Sequence, residues 1–306
     1  MRSLCLSAVL AGFGIVWFVT AAGAAEKSIA PEAATIESLT AFIADGGSSS
    51  HAARRAALEA LPLERIGGPH RQQVEQCLRE TTLYRHLPTK TFTCDGDLLA
   101  FALHKPEAIV DIWRVLGISR LTLDPAGPQQ WRLSDGYGTV GGLRLVYREH
   151  HGQAGLMVFL GRGAYTGPLA PRTLSGSCVL LVRYAAAAAN AAGREQQTIE
   201  IDAFVNMDGK GLEIVTRTLQ PLIVRSAAAN LHEICLFMSS LSQAAETNPE
   251  GVVRLVSRLP RIEPADKESL AGIARAAGRG RVRTVSSVDE EEVQTELAAR
   301  WLPQRQ

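Results

Sequence analysis

Adjacent histidines are the first candidates for metal or acid–base chemistry, because imidazole binds metals and titrates near neutral pH. His150 and His151 are neighbours in a predicted hairpin turn, where their side chains point to opposite sides and chelate one metal poorly. His232-Glu233 starts a helical zinc-protease pattern, but position 236 is Leu236 and the second histidine is missing. We interpret the first pair as a solvated turn and predict no zinc site at the second.

A third histidine shares a helix face with an acid. His104 follows Asp97 by seven residues on a short predicted helix, and Cys94 precedes that helix. This spacing permits a metal or acid–base site, but an ordinary helix surface is the favoured interpretation. The glycine-rich run 161–168 opens no helix and therefore reads as a bulged strand end and not as a phosphate loop. We assign no catalytic residue, no metal ligand and no cofactor.

Glu200 and Asp202 form a pair of carboxylates on one strand. They alternate with Ile199 and Ile201, so the two acids share the face opposite the apolar side chains. An antiparallel sheet commonly leaves one face in water, and we predict that both acids lie on that exposed face.

Four cysteines remain if the N-terminal segment, with its Cys5, is removed. In an exported chain, four cysteines allow three pairings. Cys77 and Cys94 enclose a short loop and are the favoured disulfide candidates, with Cys178 and Cys235 paired or free. The alternative is that all four are small buried core residues.

The N-terminus has the pattern of a secretory signal peptide. Arg2 precedes a mostly apolar run from Leu4 to Val19, and small residues follow up to Ala25. We predict cleavage near Ala24 or Ala25, so residues 1–25 form the signal peptide and the protein is periplasmic or extracellular. No second long apolar stretch follows, and we expect no transmembrane segment in the mature chain.

The charge balance argues against nucleic-acid binding. The chain has 32 basic (Lys and Arg) and 31 acidic residues, and such a neutral balance gives no basic surface for phosphates. We therefore expect no nucleic-acid partner.

Periodicity divides the rest of the chain into four parts. Residues 26–86 form a helical N-terminal extension, and residues 87–247 contain strands, two short helices and one long helix. Residues 248–277 read as a helical extension, and residues 278–306 as a flexible tail with a possible terminal helix. The core order is strand, two short helices, six strands and a long helix over 212–246.

These elements predict an α+β fold. Seven antiparallel strands need a cover for their apolar face, and the segment 212–246 is the longest helix available. A curved seven-stranded sheet that grips one long C-terminal helix resembles the START-related helix-grip superfamily of lipid-transfer, polyketide-cyclase and plant-allergen proteins. The resemblance rests on the order of elements alone, and cystatin-like and nuclear-transport-factor-like folds are alternatives.

The resemblance implies an apolar cavity between the sheet and the long helix. The expected function is that of an exported, non-catalytic binder or carrier of a lipid-like or apolar small molecule. The candidate ligand-binding residues are Trp113, Tyr147, Tyr165, Arg217 and Arg225. Trp113 lies on the second short helix, Tyr147 shares a strand face with Leu143 and Leu145, Tyr165 is an expected rim residue, and the arginines could meet an anionic group.

Two other functions remain open at this stage. A cyclase- or hydrolase-type enzyme would use the same cavity with at least two inward titratable groups. A cell-envelope interaction protein would use its helical extensions to bind protein partners. The inward faces read as aliphatic, which favours the binder.

Overall fold

The computed structural model describes residues 47–166, 173–209 and 212–279, except for the side chains of 212–226. This part of the chain is an α+β structure in which helices cover both faces of one antiparallel eight-stranded sheet. The predicted signal peptide and the tail beyond 279 lie outside the described residues.

The strands occupy eight segments of the chain. They are β1 (Leu83–His86), β2 (Lys90–Thr93), β3 (Thr122–Gly127), β4 (Gln130–Ser134), β5 (Thr139–His151), β6 (Ala154–Tyr165), β7 (Leu174–Ala187) and β8 (Gln196–Met207).

Seven α-helices accompany the strands in the described ranges. They are α1 (His51–Ala60), α2 (Gly68–Arg79), α3 (Gly96–His104), α4 (Pro106–Val115), α5 (Leu212–Thr247), α6 (Pro249–Ser257) and α7 (Pro264–Arg279).

The strand order is β1-β8-β7-β6-β5-β4-β3, and β2 also pairs with β8. The sequence predicts seven of these strands, and β1 is the additional one. The sequence predicts these residues as part of the helical N-terminal extension, but α2 ends at Arg79 and Leu83 pairs with Val205 of β8. Pairing with the long strand β8 gives hydrogen-bond partners to the backbone N–H and C=O groups of Leu83–His86. The last turn of a helix would leave its C=O groups without such partners.

Local signals set the helix starts as the sequence predicts. The Asp95 side chain accepts a hydrogen bond from the backbone N–H of Leu98 at 2.9 Å, which caps α3. Pro106 begins α4, where its missing N–H costs nothing. The Asn248 side chain caps α6 in the same way by accepting from Gly251 N at 3.0 Å.

Several helices, and not one alone, cover the inner face of the sheet. The main core joins inner strand residues such as Phe159, Leu180 and Val205 to residues of α3, α4, α6, α7 and the C-terminal half of α5. The 36-residue helix α5 is therefore one of five helices in this layer.

A second core lies on the outer face, where α1 and α2 pack on the central strands. Its centre is made by Val158, Val179, Leu181 and Phe204, which are fully buried with about 0% exposure. The central parts of β6, β7 and β8 are therefore buried on both faces, which explains the unbroken apolar runs Leu156–Leu160 in β6 and Cys178–Val182 in β7.

A β-bulge in β5 changes which side chains face inward. Leu145 pairs with the inner residue Phe159, but the next paired residue is Tyr147, opposite the outer residue Val158. The extra residue, Val146, breaks the two-residue alternation. After the bulge, Tyr147 belongs to the outer face and Arg148 to the inner face.

Within the described residues, none of the helices is both long and apolar enough to cross a bilayer.

The four described cysteines are buried, and none of them forms a disulfide bond with another described cysteine. Cys77 lies in the outer core and Cys94 in the inner core, so the sheet separates the two residues expected to form a disulfide. The favoured disulfide is therefore wrong, and the alternative of small core residues describes all four.

Thiol titration checks this assignment. In the chain carrying Cys5→Ser, we expect no rapid reaction of the native protein with Ellman's reagent, because all four thiols are shielded from solvent. In guanidinium chloride, without reductant, four thiols per chain should react. A value of two in denaturant would restore the Cys77–Cys94 disulfide.

Candidate functional site

An apolar cavity of about 190 Å³ lies between the inner face of the sheet and helices α3, α4 and α5. Every described side chain that lines it is apolar. The sheet contributes residues that include Leu133, Leu143, Phe159, Leu180, Val182 and Ile199. The helices contribute residues that include Leu99, Ala102, Ile109, Trp113, Leu231 and Met238.

Trp113 is the sequence candidate that reaches this cavity. It is buried on α4, and its indole meets the Phe237 ring of α5 edge to face, with centroids 5.6 Å apart and planes at 82°. Edge-to-face packing of this kind fixes the aromatic wall at one end of the cavity.

Cys235 is the one ionisable residue among the described lining residues. Burial raises the pKa of its thiol to about 12, so the thiol stays protonated and behaves as a small apolar group. The described lining of the cavity offers apolar contacts and no acid–base pair.

A second hollow, of about 540 Å³, is polar and is here called the cleft. The α3–α4 junction, the β3–β4 turn, β5 and the loop between α6 and α7 surround it. Its titratable lining residues are His104, Lys105, Glu107, Arg148, Arg261, Glu263 and Asp266.

Glu107 lies at the base of the cleft, and its carboxyl accepts a hydrogen bond from the Trp131 indole N–H at 2.6 Å. Glu107 is 9% exposed and Trp131 is 5% exposed. Burial raises the pKa of Glu107 above its ordinary value, while the hydrogen bond from Trp131 opposes this effect. The result is a carboxyl group whose charged form is disfavoured relative to a surface acid.

Two ion pairs connect the rim of the cleft. Lys105 Nζ lies 2.8 Å from Asp266 Oδ2, and Arg261 Nη1 lies 2.6 Å from Asp124 Oδ1. These pairs hold the α6–α7 region against the α3–α4 junction and β3.

His104 lines the cleft but does not join the Asp97–Cys94 arrangement considered from the sequence. Its Nδ1–H donates to the Ala100 carbonyl oxygen at 2.6 Å, one helical turn earlier. In neutral His104, this bond leaves Nε2 as the acceptor nitrogen. Among the described residues, no group of three or more His, Cys, Asp or Glu side chains is placed to hold a metal ion.

Tyr147 and Tyr165 do not line the apolar cavity. Tyr147 lies on the outer face because of the bulge, under the guanidinium of Arg65, which is 5.0 Å from the ring centroid. Tyr165, expected at an exposed rim, is fully buried. Arg217 and Arg225 lie on α5, in the part whose side chains are outside the described residues.

Asp202 contradicts the prediction of an exposed acidic face, since it is 1% exposed. Its carboxylate accepts from Tyr84 Oη at 2.7 Å, His86 Nδ1 at 2.9 Å and Arg183 Nη2 at 2.7 Å. Burial alone would raise the pKa of Asp202, but these donors outweigh it and hold the pKa below the usual value. Glu200, half-buried, pairs with Arg183 at 3.3 Å.

Sequence reasoning missed the cleft residues Glu107, Trp131 and Arg148. An acid two residues into a helix usually reflects the positive helix N-terminus, so Glu107 carried no special signal. The alternation of side chains in the sequence places Arg148 on the outer face of the sheet, because the sequence does not reveal the bulge that turns it inward.

The sequence matches no known protein family, and no curated protein resembles it significantly. The function must therefore be inferred from the cavity and the cleft.

The Asp202 cluster gives a pH-dependent prediction. The hydrogen bond to Asp202 raises the pKa of His86 above 6.5, so the charged imidazole stabilises the fold fully below the unfolded pKa. This stabilisation is lost as pH rises through the folded pKa. The loss of free energy of unfolding in the His86→Asn variant, relative to the wild-type protein, should therefore be larger near pH 5.5 than near pH 8.5. Urea denaturation at each pH measures this loss.

The exposed His51 provides the control. His51→Asn should leave the difference from the wild-type protein flat with pH. A deficit of His86→Asn that stays constant from pH 5.5 to 8.5 would exclude the charged pair as its source.

Proposed function

We propose that this protein is an exported binder or carrier of a small apolar molecule, which occupies the cavity between the sheet and helices α3, α4 and α5. The observation that supports this proposal is a hollow of about 190 Å³ whose described lining is entirely apolar. Ligand sites of this kind are mostly apolar, and polar groups at their edges provide orientation.

The size of the cavity limits the ligand. An apolar cavity of about 150 Å³ in another protein stays dry and binds benzene. A hollow of about 190 Å³ therefore suits a ring with a short substituent or a short hydrocarbon chain better than a whole membrane lipid.

An empty cavity is a cost to the fold. At about 24 cal/mol per Å³, a hollow of this size destabilises the protein by on the order of 4 kcal/mol relative to solid packing. Substitutions such as Ala to Leu could remove this cost, so a retained hollow favours a ligand-binding role.

The chemistry of the lining favours binding over catalysis in this cavity. The enzyme alternative needs two titratable groups directed at a shared point, and the described lining provides only the protonated thiol of Cys235.

We also propose a distant relationship to the START-related helix-grip proteins. The antiparallel sheet and the long helix α5 are compatible with that arrangement. The additional cover from α6 and α7, and the outer helices α1 and α2, would then be elaborations of the basic fold.

Filling the cavity tests the function. Ala102 is half-buried on α3 and lines the cavity. The Ala102→Leu variant should lose toluene binding in isothermal calorimetry, because the larger side chain occupies the ligand volume. Its melting temperature without ligand should not fall by more than a few degrees, since the leucine fills empty space.

The matched control is Ala100→Leu, on the same helix. Ala100 is also half-buried but lines a separate hollow of about 220 Å³ near Asp95 and Glu195. This variant should bind toluene as the wild-type protein does. The proposal fails if the wild-type protein does not bind toluene, or if Ala102→Leu binds it equally well.

A further inference from the structure

The apolar cavity and the polar cleft are neighbours along the inner face of β3 and β4. On β4, Leu133 lines the cavity, and Trp131, two residues earlier on the same face, lines the cleft. On β3, Leu123 lines the cavity and Pro125 the cleft. Because residues two apart share a strand face, the two hollows form successive parts of one groove.

The partition between them includes a single aromatic side chain. The Trp131 ring lies 6.4 Å, centroid to centroid, from Phe159, which lines the cavity. On the cleft side, the Trp131 N–H donates to Glu107. Trp131 therefore lies between the carboxyl group of Glu107 in the cleft and the Phe159 ring of the cavity.

The backbone beside the partition is strained. Gln129 lines the cleft, and it is the only non-glycine residue with a positive φ, 55°, in the described part of the chain. Strained conformations of this kind cluster at ligand-binding sites, where the surrounding structure maintains them. The backbone conformation of Gln129 is therefore a second observation that indicates a ligand-binding site at the cleft.

One cation of the cleft is available to a ligand. Lys105 and Arg261 already pair with carboxylates, whereas Arg148 is exposed and forms no ion pair with any acid in the described ranges. A guanidinium in this position can hold a carboxylate through two parallel hydrogen bonds.

The acids of the cleft oppose an anion only weakly. Asp266 is neutralised by Lys105, and Glu263 is exposed, so solvent and salt screen its charge. Burial raises the pKa of Glu107, which disfavours its negatively charged form. A single negative charge on a ligand therefore matches the one guanidinium that lacks an ion pair.

We propose that the cleft holds the carboxylate of an amphipathic small molecule whose apolar part lies in the adjoining cavity. Arg148 pairs with the carboxylate, and Trp131 moves aside to let the ligand span both hollows. This inference rests on the proposed function, since the apolar part uses the same cavity.

Three probes of matched shape test the inference: propylbenzene, 3-phenylpropionate and phenethylamine. Each has a phenyl ring on a two-carbon chain, ending in a methyl group, a carboxylate or an ammonium. Calorimetry at neutral pH and low salt should give about tenfold tighter binding for phenylpropionate than for propylbenzene, from the charge-assisted hydrogen bonds.

Two arginine variants locate the head group. Arg148→Gln should weaken the binding of phenylpropionate to the affinity measured for propylbenzene. The affinity for propylbenzene should stay unchanged. Arg132→Gln is the matched control, since Arg132 is exposed on β4 and does not line the cleft. It should retain the full preference for phenylpropionate.

The indole N–H signal of Trp131 reports on the partition. In proton–nitrogen correlation spectra, with the peak assigned by the Trp131→Phe variant, phenylpropionate should shift this signal in the wild-type protein. An unchanged signal at saturating phenylpropionate would overturn the proposed path past Trp131.

The outcomes separate the inference from the proposed function. Equal affinity for propylbenzene and phenylpropionate, both lost in Ala102→Leu, overturns the head-group site and leaves the apolar binder intact. A preference for phenethylamine also overturns the carboxylate assignment. Failure of all three probes to bind overturns the inference, and the toluene experiment then decides the proposed function separately.

Discussion

Burial of β6, β7 and β8 on both faces is the constraint on which the rest of this structure depends. Phe204 and Val179 pack under α1 and α2, while their neighbours Val205 and Leu180 pack toward the inner helices. Neither face can turn to solvent without exposing a core, so the register of these strands is strongly specified. The inner layer can then contain a hollow, because the outer core fixes the strands from the other side.

The bulge in β5 links the two layers to the chemistry of the cleft. It places Tyr147 outside, where Arg65 covers its ring, and Arg148 inside, where it lines the cleft. Arg65 also pairs with Glu149 at 2.8 Å, so contacts from the outer layer hold the strand just beyond the bulge. The one extra residue, Val146, therefore determines which side chains of β5 point to the outer face and which to the inner face of the sheet.

The sequence predicted the periodic and capped parts of the fold and missed the features that depend on tertiary contacts. Asp95 and Pro106 act locally, so the starts of α3 and α4 were predictable. Trp113 could be chosen as a candidate because it lies on the apolar stripe of α4, and it lines the cavity. Burial of Asp202 was not predictable, because Tyr84, His86 and Arg183 come from distant parts of the chain. Side-chain alternation in β5 failed at the bulge, which leaves no mark in the composition of the strand.

Buried carboxyl groups link separate elements of the fold, and they differ in how easily their hydrogen bonds can be released. Asp202 accepts three donors and joins β1 to β7 and β8, so its loss would leave several polar groups unsatisfied. Glu107 accepts one side-chain hydrogen bond, from Trp131, and it borders a cleft large enough for water. When that bond breaks, water or a ligand can satisfy both partners. The link between α4 and β4 is therefore the buried contact best suited to open, and it lies where the apolar cavity meets the polar cleft.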